Sequence, residues 1–232
     1  MKNTAIMKLE KRFTIKILAH KIKKYFPIQF YNFFLLLRFY AFKKHCNKGM
    51  TSKITYSDGS WISRKTTSDL RKIQTYLSGI EESLEVLQIG IGNSSLYRVM
   101  ESTPMKRLVG VTIVDDELNY AASEFPEVFN DRYKVFVANK YSDDIKEVGE
   151  NFDFIVDNDI SSYSCCNHHF LKMLANYYSL LKPGGTVLVG LKGLGYFDSG
   201  FGLTEAMMER LAKEYKFGFS VDQYCYRLTR KV

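Results

Sequence analysis

The 232-residue sequence has only 4 proline, 4 cysteine and 1 tryptophan residues. So few prolines, beside 46% hydrophobic and 15% aromatic residues, exclude a disordered or collagen-like chain. The cysteines, Cys46, Cys165, Cys166 and Cys225, form no spaced framework. That excludes a disulfide-stapled secreted fold and leads us to expect a reducing compartment, the cytoplasm. Cys165-Cys166-Asn167-His168-His169 lacks the separated ligand pairs of a structural zinc site, so no metal is expected. There is no internal repeat, no low-complexity tract and no uninterrupted run of the roughly 20 apolar residues that a spanning helix needs. Gln29, Asn32 and Arg38 break the longest stretch, Ile28 to Phe42. That stretch begins too far in for a signal peptide, and no small-residue cleavage pattern follows it. The length fits one compact domain with an appendage, hence one active site.

Acid is scarce at one end only. Residues 1–50 hold twelve lysines and arginines against the single acid Glu10, a net +11 in a chain whose total is +8, so the remainder is −3. The body therefore lacks the basic balance of a groove that tracks phosphates, which argues against a nucleic-acid partner. Ile6, Leu9, Phe13 and Ile17 share one side of a helix in the basic segment. Two readings stay open for this basic, aromatic, helical extension. It is a cap packed on the body with solvated lysines, or an interfacial anchor that makes peripheral membrane contact with anionic headgroups.

Residues 51–83 read as a linker and entry helix, with a turn at Tyr56-Ser57-Asp58-Gly59-Ser60 and a helix start at Thr67-Ser68-Asp69. Residues 84–232 alternate strand-like and helix-like runs. Strands are expected at Glu85 to Ile89, Arg107 to Val114, Tyr133 to Ala138, Phe152 to Asp157, Gly185 to Leu191, Phe217 to Asp222 and Tyr224 to Thr229. Helices are expected near Ser95 to Glu101, Glu117 to Phe125, Asp143 to Val148, His169 to Leu181 and Thr204 to Tyr215. The order predicts an α/β fold: a doubly wound, mostly parallel, seven-stranded sheet whose ligand lies beyond the carboxyl ends of the strands.

Val86-Leu87-Gln88-Ile89-Gly90-Ile91-Gly92-Asn93-Ser94-Ser95 runs from an apolar strand through small residues into a helix. Glycines there let the backbone turn sharply and approach a ligand, and Asn93, Ser94 or Ser95 can cap the helix. With Arg107 to Ile113, Val135 to Asn139, Phe152 to Asp159 and Leu180-Leu181-Lys182-Pro183-Gly184-Gly185, five segments in this order resemble the class I S-adenosylmethionine-dependent methyltransferases, whose fold is Rossmann-like. In the last segment a helix is expected to end in the Pro-Gly-Gly turn.

The resemblance implies S-adenosyl-L-methionine as cofactor, Gly90 and Gly92 against its methionine part, Thr112 and Ile113 beside ribose and adenine, and Asn139 at the adenine amino group. Gln88, Asn93 and Asp157 complete the implied cofactor site. Gln88, Ser94 and Thr112 depart from the family pattern of a carboxylate, a third glycine and a ribose-gripping acid, and Asp115 in a shifted register is one replacement for the last. For methyl transfer to a hydroxyl or amine, Asp157, Asp159 and His168 are the candidate bases, with His169 beside them. Trp61, Arg64 and Tyr56 on one side, and the loop Leu191 to Gly202 on the other, are candidate walls. The expected acceptor is a small molecule such as a sugar, a lipid-linked or a natural-product intermediate. Asp157-Asn158-Asp159-Ile160 is not the Asp/Asn-Pro-Pro-aromatic signature of enzymes that act on a flipped base amine. An aminopropyl transferase-like enzyme and a repurposed or non-catalytic domain of the same fold are the alternatives.

Overall fold

A computed structural model describes Phe30, Phe33, Phe34, Leu36, Leu37, Phe39 and residues 59–164, 166–195 and 203–232. The turn at Tyr56, Cys165, most of the basic segment and the loop from Tyr196 to Gly202 lie outside the described residues. The chain divides into two compact units, Met1–Phe42 and Lys43–Val232.

The larger unit is one seven-stranded sheet built from β1 (Glu85–Ile89), β2 (Arg107–Thr112), β3 (Tyr133–Val137), β4 (Phe152–Val156), β5 (Leu181–Val189), β6 (Phe217–Val221) and β7 (Tyr226–Arg230). Their order is β3-β2-β1-β4-β5-β7-β6. The first five are mutually parallel, and β7 runs antiparallel to β5 and β6. The sequence order reverses between β1 and β4, which opens a crevice at their carboxyl ends. The helices are α1 (Ser68–Ser78), α2 (Ser95–Met100), α3 (Asp115–Glu124), α4 (Asn167–Leu180) and α5 (Glu205–Glu214). The expected helix at Asp143–Val148 is a 3-10 turn.

Local chemistry sets the ends of these elements. Thr67 caps α1 by accepting the Leu70 amide, Ile73 and Leu77 one turn apart give the helix its buried face, and the Gly79 amide closes it on the Tyr76 and Leu77 carbonyls. At the β6–β7 turn the Asp222 carboxylate accepts the amides of Tyr224 and Cys225, so pairing resumes only at Tyr226. The core joins Ile73 and Leu77 of α1, Leu96 and Met100 of α2 and Val86 and Leu108 of the sheet around Tyr97 and Tyr133. The two tyrosine rings stack at 4.3 Å.

One expectation is corrected. Pro183-Gly184-Gly185 does not stop a helix, because α4 has already ended at Leu180 and β5 begins at Leu181. The triplet forms a bulge inside β5, where pairing with β4 jumps from Phe152↔Leu181 to Phe154↔Thr186. Gly184 has φ +80°, and a Cβ on Gly185 would stand 2.7 Å from the Phe152 carbonyl, so both glycines are needed.

Gly110, in the middle of β2, makes room for a neighbour in the glycine turn, since a Cβ there would lie 2.5 Å from Cγ2 of Ile91. Gly110→Ala is expected to lower stability by about 1–3 kcal/mol. In denaturant titrations, Gly110→Ala with Ile91→Ala should cost less than the sum of the two single changes, because the second removes the clash.

Candidate functional site

The turn after β1 holds three left-handed residues in alternate positions, Gly90 at φ +72°, Gly92 at +52° and Ser94 at +58°. Nothing lies within 4 Å of where a Cβ would stand on either glycine. Both border a cavity of about 490 Å3, within the roughly 300–1,000 Å3 typical of small-molecule sites. Ser94 keeps the backbone expected of a third glycine because its buried hydroxyl is hydrogen-bonded to Tyr133 Oη at 2.8 Å. That hydroxyl therefore does not cap α2.

Among the candidates, Gly90, Gly92, Asn93, Thr112, Ile113, Asn139, Asp157 and Asp159 line this one cavity, as do Trp61 and Arg64. Gln88 does not. Its buried side chain sits behind the turn and donates from Nε2 to the Gly90 carbonyl at 3.2 Å, bracing the turn from within. Asn93 lines the cavity, but its Nδ2 is spent on the carbonyls of Ile62 and Arg64, at 3.0 and 3.1 Å. Its work is to hold the 59–66 segment as a wall. Trp61, buried in that wall, meets Tyr120 edge-on at 5.4 Å.

The acid that sequence reasoning missed is Glu117. Asp115 is exposed and does not border the cavity, whereas Glu117, two residues on, is buried in its lining. Its Oε2 accepts the Thr112 hydroxyl at 2.6 Å and the Gly92 amide at 3.2 Å. The Thr112 hydroxyl in turn accepts the Val114 amide at 3.1 Å. Thr112 thus stands at the strand end as expected, but as the fastening of a carboxylate delivered from the next helix. Burial raises the pKa of Glu117 against the opposing pull of the Thr112 and Gly92 hydrogen bonds and the Arg64 charge. Ala121, one turn later, is fully buried, so Glu117 lies on the inward face of α3.

At the end of β4, Asp157 is present but committed. Lys140, buried just after β3, donates from Nζ to Asp157 Oδ2 at 2.9 Å and Oδ1 at 3.2 Å. The same ammonium reaches the carbonyls of Asp159 and Ile160 and the Ser162 hydroxyl. Tyr177 of α4 donates to Asp157 Oδ2 at 2.7 Å, and burial beside that charge keeps its phenol protonated. Both carboxylate oxygens of Asp157 are thereby engaged, by Lys140 and by Tyr177.

Asp159 is half-buried in the same lining. Burial raises its pKa, helped by the Asp157 and Asp69 charges and opposed by the Asn158 hydrogen bond and Lys140. Asn139 presents an amide to the cavity, with Oδ1 accepting the Tyr141 amide at 2.9 Å. His168 is exposed on the first turn of α4, outside the cavity lining, and His169 is engaged with Cys166 at 3.2 Å. The Cys166 sulfur accepts the His169 amide as the cap of α4.

With this geometry, likeness to known proteins becomes informative. A TehB-like SAM-dependent methyltransferase from Corynebacterium glutamicum is 17% identical over 75% of this chain and 92% of its own, with a TM-score of 0.52. The N-methyltransferase NodS from Bradyrhizobium japonicum is 15% identical over 76% of this chain and 100% of its own, with a TM-score of 0.54. The chain has the class I S-adenosylmethionine-dependent methyltransferase fold. The [4+2]-cyclase SpnF is also similar, at 16% identity, 66% of this chain, 58% of its own and a TM-score of 0.50. No family model matches the sequence, and no curated protein matches it.

Replacing Lys140 by methionine would leave the Asp157 charge buried with Tyr177 as its remaining side-chain donor. Lys140→Met should cost about 3–5 kcal/mol in urea unfolding, and adding Asp157→Asn should restore part of that loss by removing the orphaned charge.

Proposed function

We propose that this chain is an S-adenosylmethionine-dependent methyltransferase acting on a small-molecule acceptor through a hydroxyl or an amine. The observation that carries the reading is the buried Glu117 carboxylate, fixed between the Gly92 amide and the Thr112 hydroxyl on the wall of a cavity opened by two glycines. A carboxylate of this kind is an acceptor for paired hydroxyls, such as those of a nucleoside ribose, and it supplies the charge that Thr112 lacks. Gly90 and Gly92 give a ligand close access to the backbone, and Asn139 offers an amide for an adenine edge. The residues present fit the nucleoside, so the uncharged Gln88 and Thr112 do not count against it.

Bound there, S-adenosylmethionine supplies an electrophilic methyl group. The protein's own share is positioning and proton handling. Asp159 is placed to take the proton of an acceptor hydroxyl or ammonium on a carboxylate oxygen, Lys140 holds the loop that carries Asp159, and the Trp61 wall limits water. Tyr163, half exposed and with φ +57°, gives the cavity mouth an aromatic edge. The cavity size and the −3 balance of the body favour a small acceptor over a nucleic acid. A sugar, a lipid-linked compound or a natural-product intermediate meets that description, and a cytoplasmic setting suits the cysteine usage.

Calorimetry with S-adenosylmethionine should show saturable binding that is abolished by Gly90→Trp. Glu117→Gln should weaken binding about 10- to 100-fold, the equivalent of about 1–3 kcal/mol for a hydrogen bond to a charged group. As pH falls through the raised pKa of Glu117, its carboxylate takes a proton and loses acceptor strength, so wild-type affinity should decline toward acid while Glu117→Gln stays flat. Asp159→Asn should leave cofactor affinity unchanged and reduce turnover of a hydroxyl acceptor by roughly 10²- to 10⁴-fold. Folded wild-type protein that binds neither S-adenosylmethionine nor its demethylated product would overturn the reading in favour of a repurposed domain.

A further inference from the structure

In the smaller unit, Phe30, Phe33, Phe34, Leu36, Leu37 and Phe39 are helical. Phe30, Phe33, Phe34 and Leu37 are 63%, 55%, 52% and 52% exposed, whereas Leu36 and Phe39 are buried. The four exposed residues stand at i, i+3, i+4 and i+7, which places them within about 100° of arc on one side of the helix. They are four of the nine large apolar side chains exposed among the described residues, and the other five are scattered through the larger unit. An apolar stripe of this size, gathered in one short segment, marks an interaction surface.

Charge selects the occupant. The stripe is flanked in sequence by Lys21, Lys23 and Lys24 before it and by Arg38, Lys43, Lys44 and Lys48 after it, within fifty residues whose net charge is +11. Two copies brought together through this segment would repel, and a nucleic acid would satisfy the lysines but leave the phenylalanines in water. A bilayer with anionic headgroups satisfies both. No helix among the described residues is long and apolar enough to cross a membrane, and Gln29, Asn32 and Arg38 interrupt the apolar run in the sequence.

We infer that the Phe30, Phe33, Phe34 and Leu37 stripe docks the protein on anionic lipid surfaces, with the aromatic side chains entering the acyl boundary and the surrounding lysines meeting the headgroups. The first fifty residues carry +11 and the remainder −3, so the net positive charge of the chain resides in the former.

The full chain is tested by co-sedimentation with vesicles of phosphatidylcholine alone and of phosphatidylcholine mixed with phosphatidylglycerol. Partitioning into the anionic vesicles should exceed that into neutral ones by about tenfold or more and fall as salt is raised. The double change Phe33→Asp and Phe34→Asp should abolish it, while thermal stability and S-adenosylmethionine binding stay at wild-type level because both residues lie outside the cavity. Equal partitioning into the two vesicle types, or binding that survives the double change, sinks the inference. So does sedimentation velocity showing a wild-type dimer that the double change converts to monomer, since the stripe would then be a self-association surface.

Discussion

A buried carboxylate ties the glycine turn to the sheet. Glu117 is carried by α3, yet it bonds to the Gly92 amide in the turn after β1 and to the Thr112 hydroxyl at the end of β2. Desolvating an ionisable group is costly, and both bonds are strengthened by the low dielectric that makes it so. The turn, the strand end and the helix start are therefore held as one piece. Ser94 contributes from the opposite side through Tyr133, and Gln88 from beneath through the Gly90 carbonyl. Each departure from the expected motif is occupied by a polar side chain that stiffens the turn.

The other half of the cavity depends on a second buried charge. Lys140 gathers Asp157, the carbonyls of Asp159 and Ile160, and Ser162 around one ammonium. This sets the loop after β4 without any regular element and consumes Asp157 as its counter-ion. Asp159 gives its carbonyl to this ammonium, while its carboxylate accepts from Asn158 and the residue lines the cavity. The two halves meet where the strand order reverses, so Glu117 and Asp159 line a single crevice at the β1–β4 seam.

The body's acids and the extension's bases divide the molecule's electrostatics in the same spirit. Residues 51–232 carry −3, whereas of the +11 of the first fifty residues +8 belongs to the unit Met1–Phe42 and +3 to Lys43, Lys44 and Lys48 of the larger unit. A net charge of +8 averaged over the whole chain hides both facts.

The sheet was legible because parallel strands buried on both faces read as short apolar runs between turn residues. β1 to β4 and β6 lie where those runs stand, shortened by at most two residues at their carboxyl ends, while β7 begins two residues late and ends one residue late. Gly90 and Gly92 were legible because only glycine enters such a turn without strain. The Pro-Gly-Gly bulge was misread because its shape depends on the register against Phe152, which is far away in sequence. His168 stands exposed on the first turn of α4, and the amides of Gln88 and Asn93 donate to neighbouring carbonyls, placements that depend on packing. The sequence by itself determined the order of elements, the strand-turn-helix at the crevice and the charge split, since these follow from local conformational preference and burial pattern. Only the tertiary structure decided that Glu117 meets Thr112 and the Gly92 amide and that Lys140 pairs with Asp157. A buried charge chooses its partner by distance and desolvation across elements, and neither quantity is written in residue spacing.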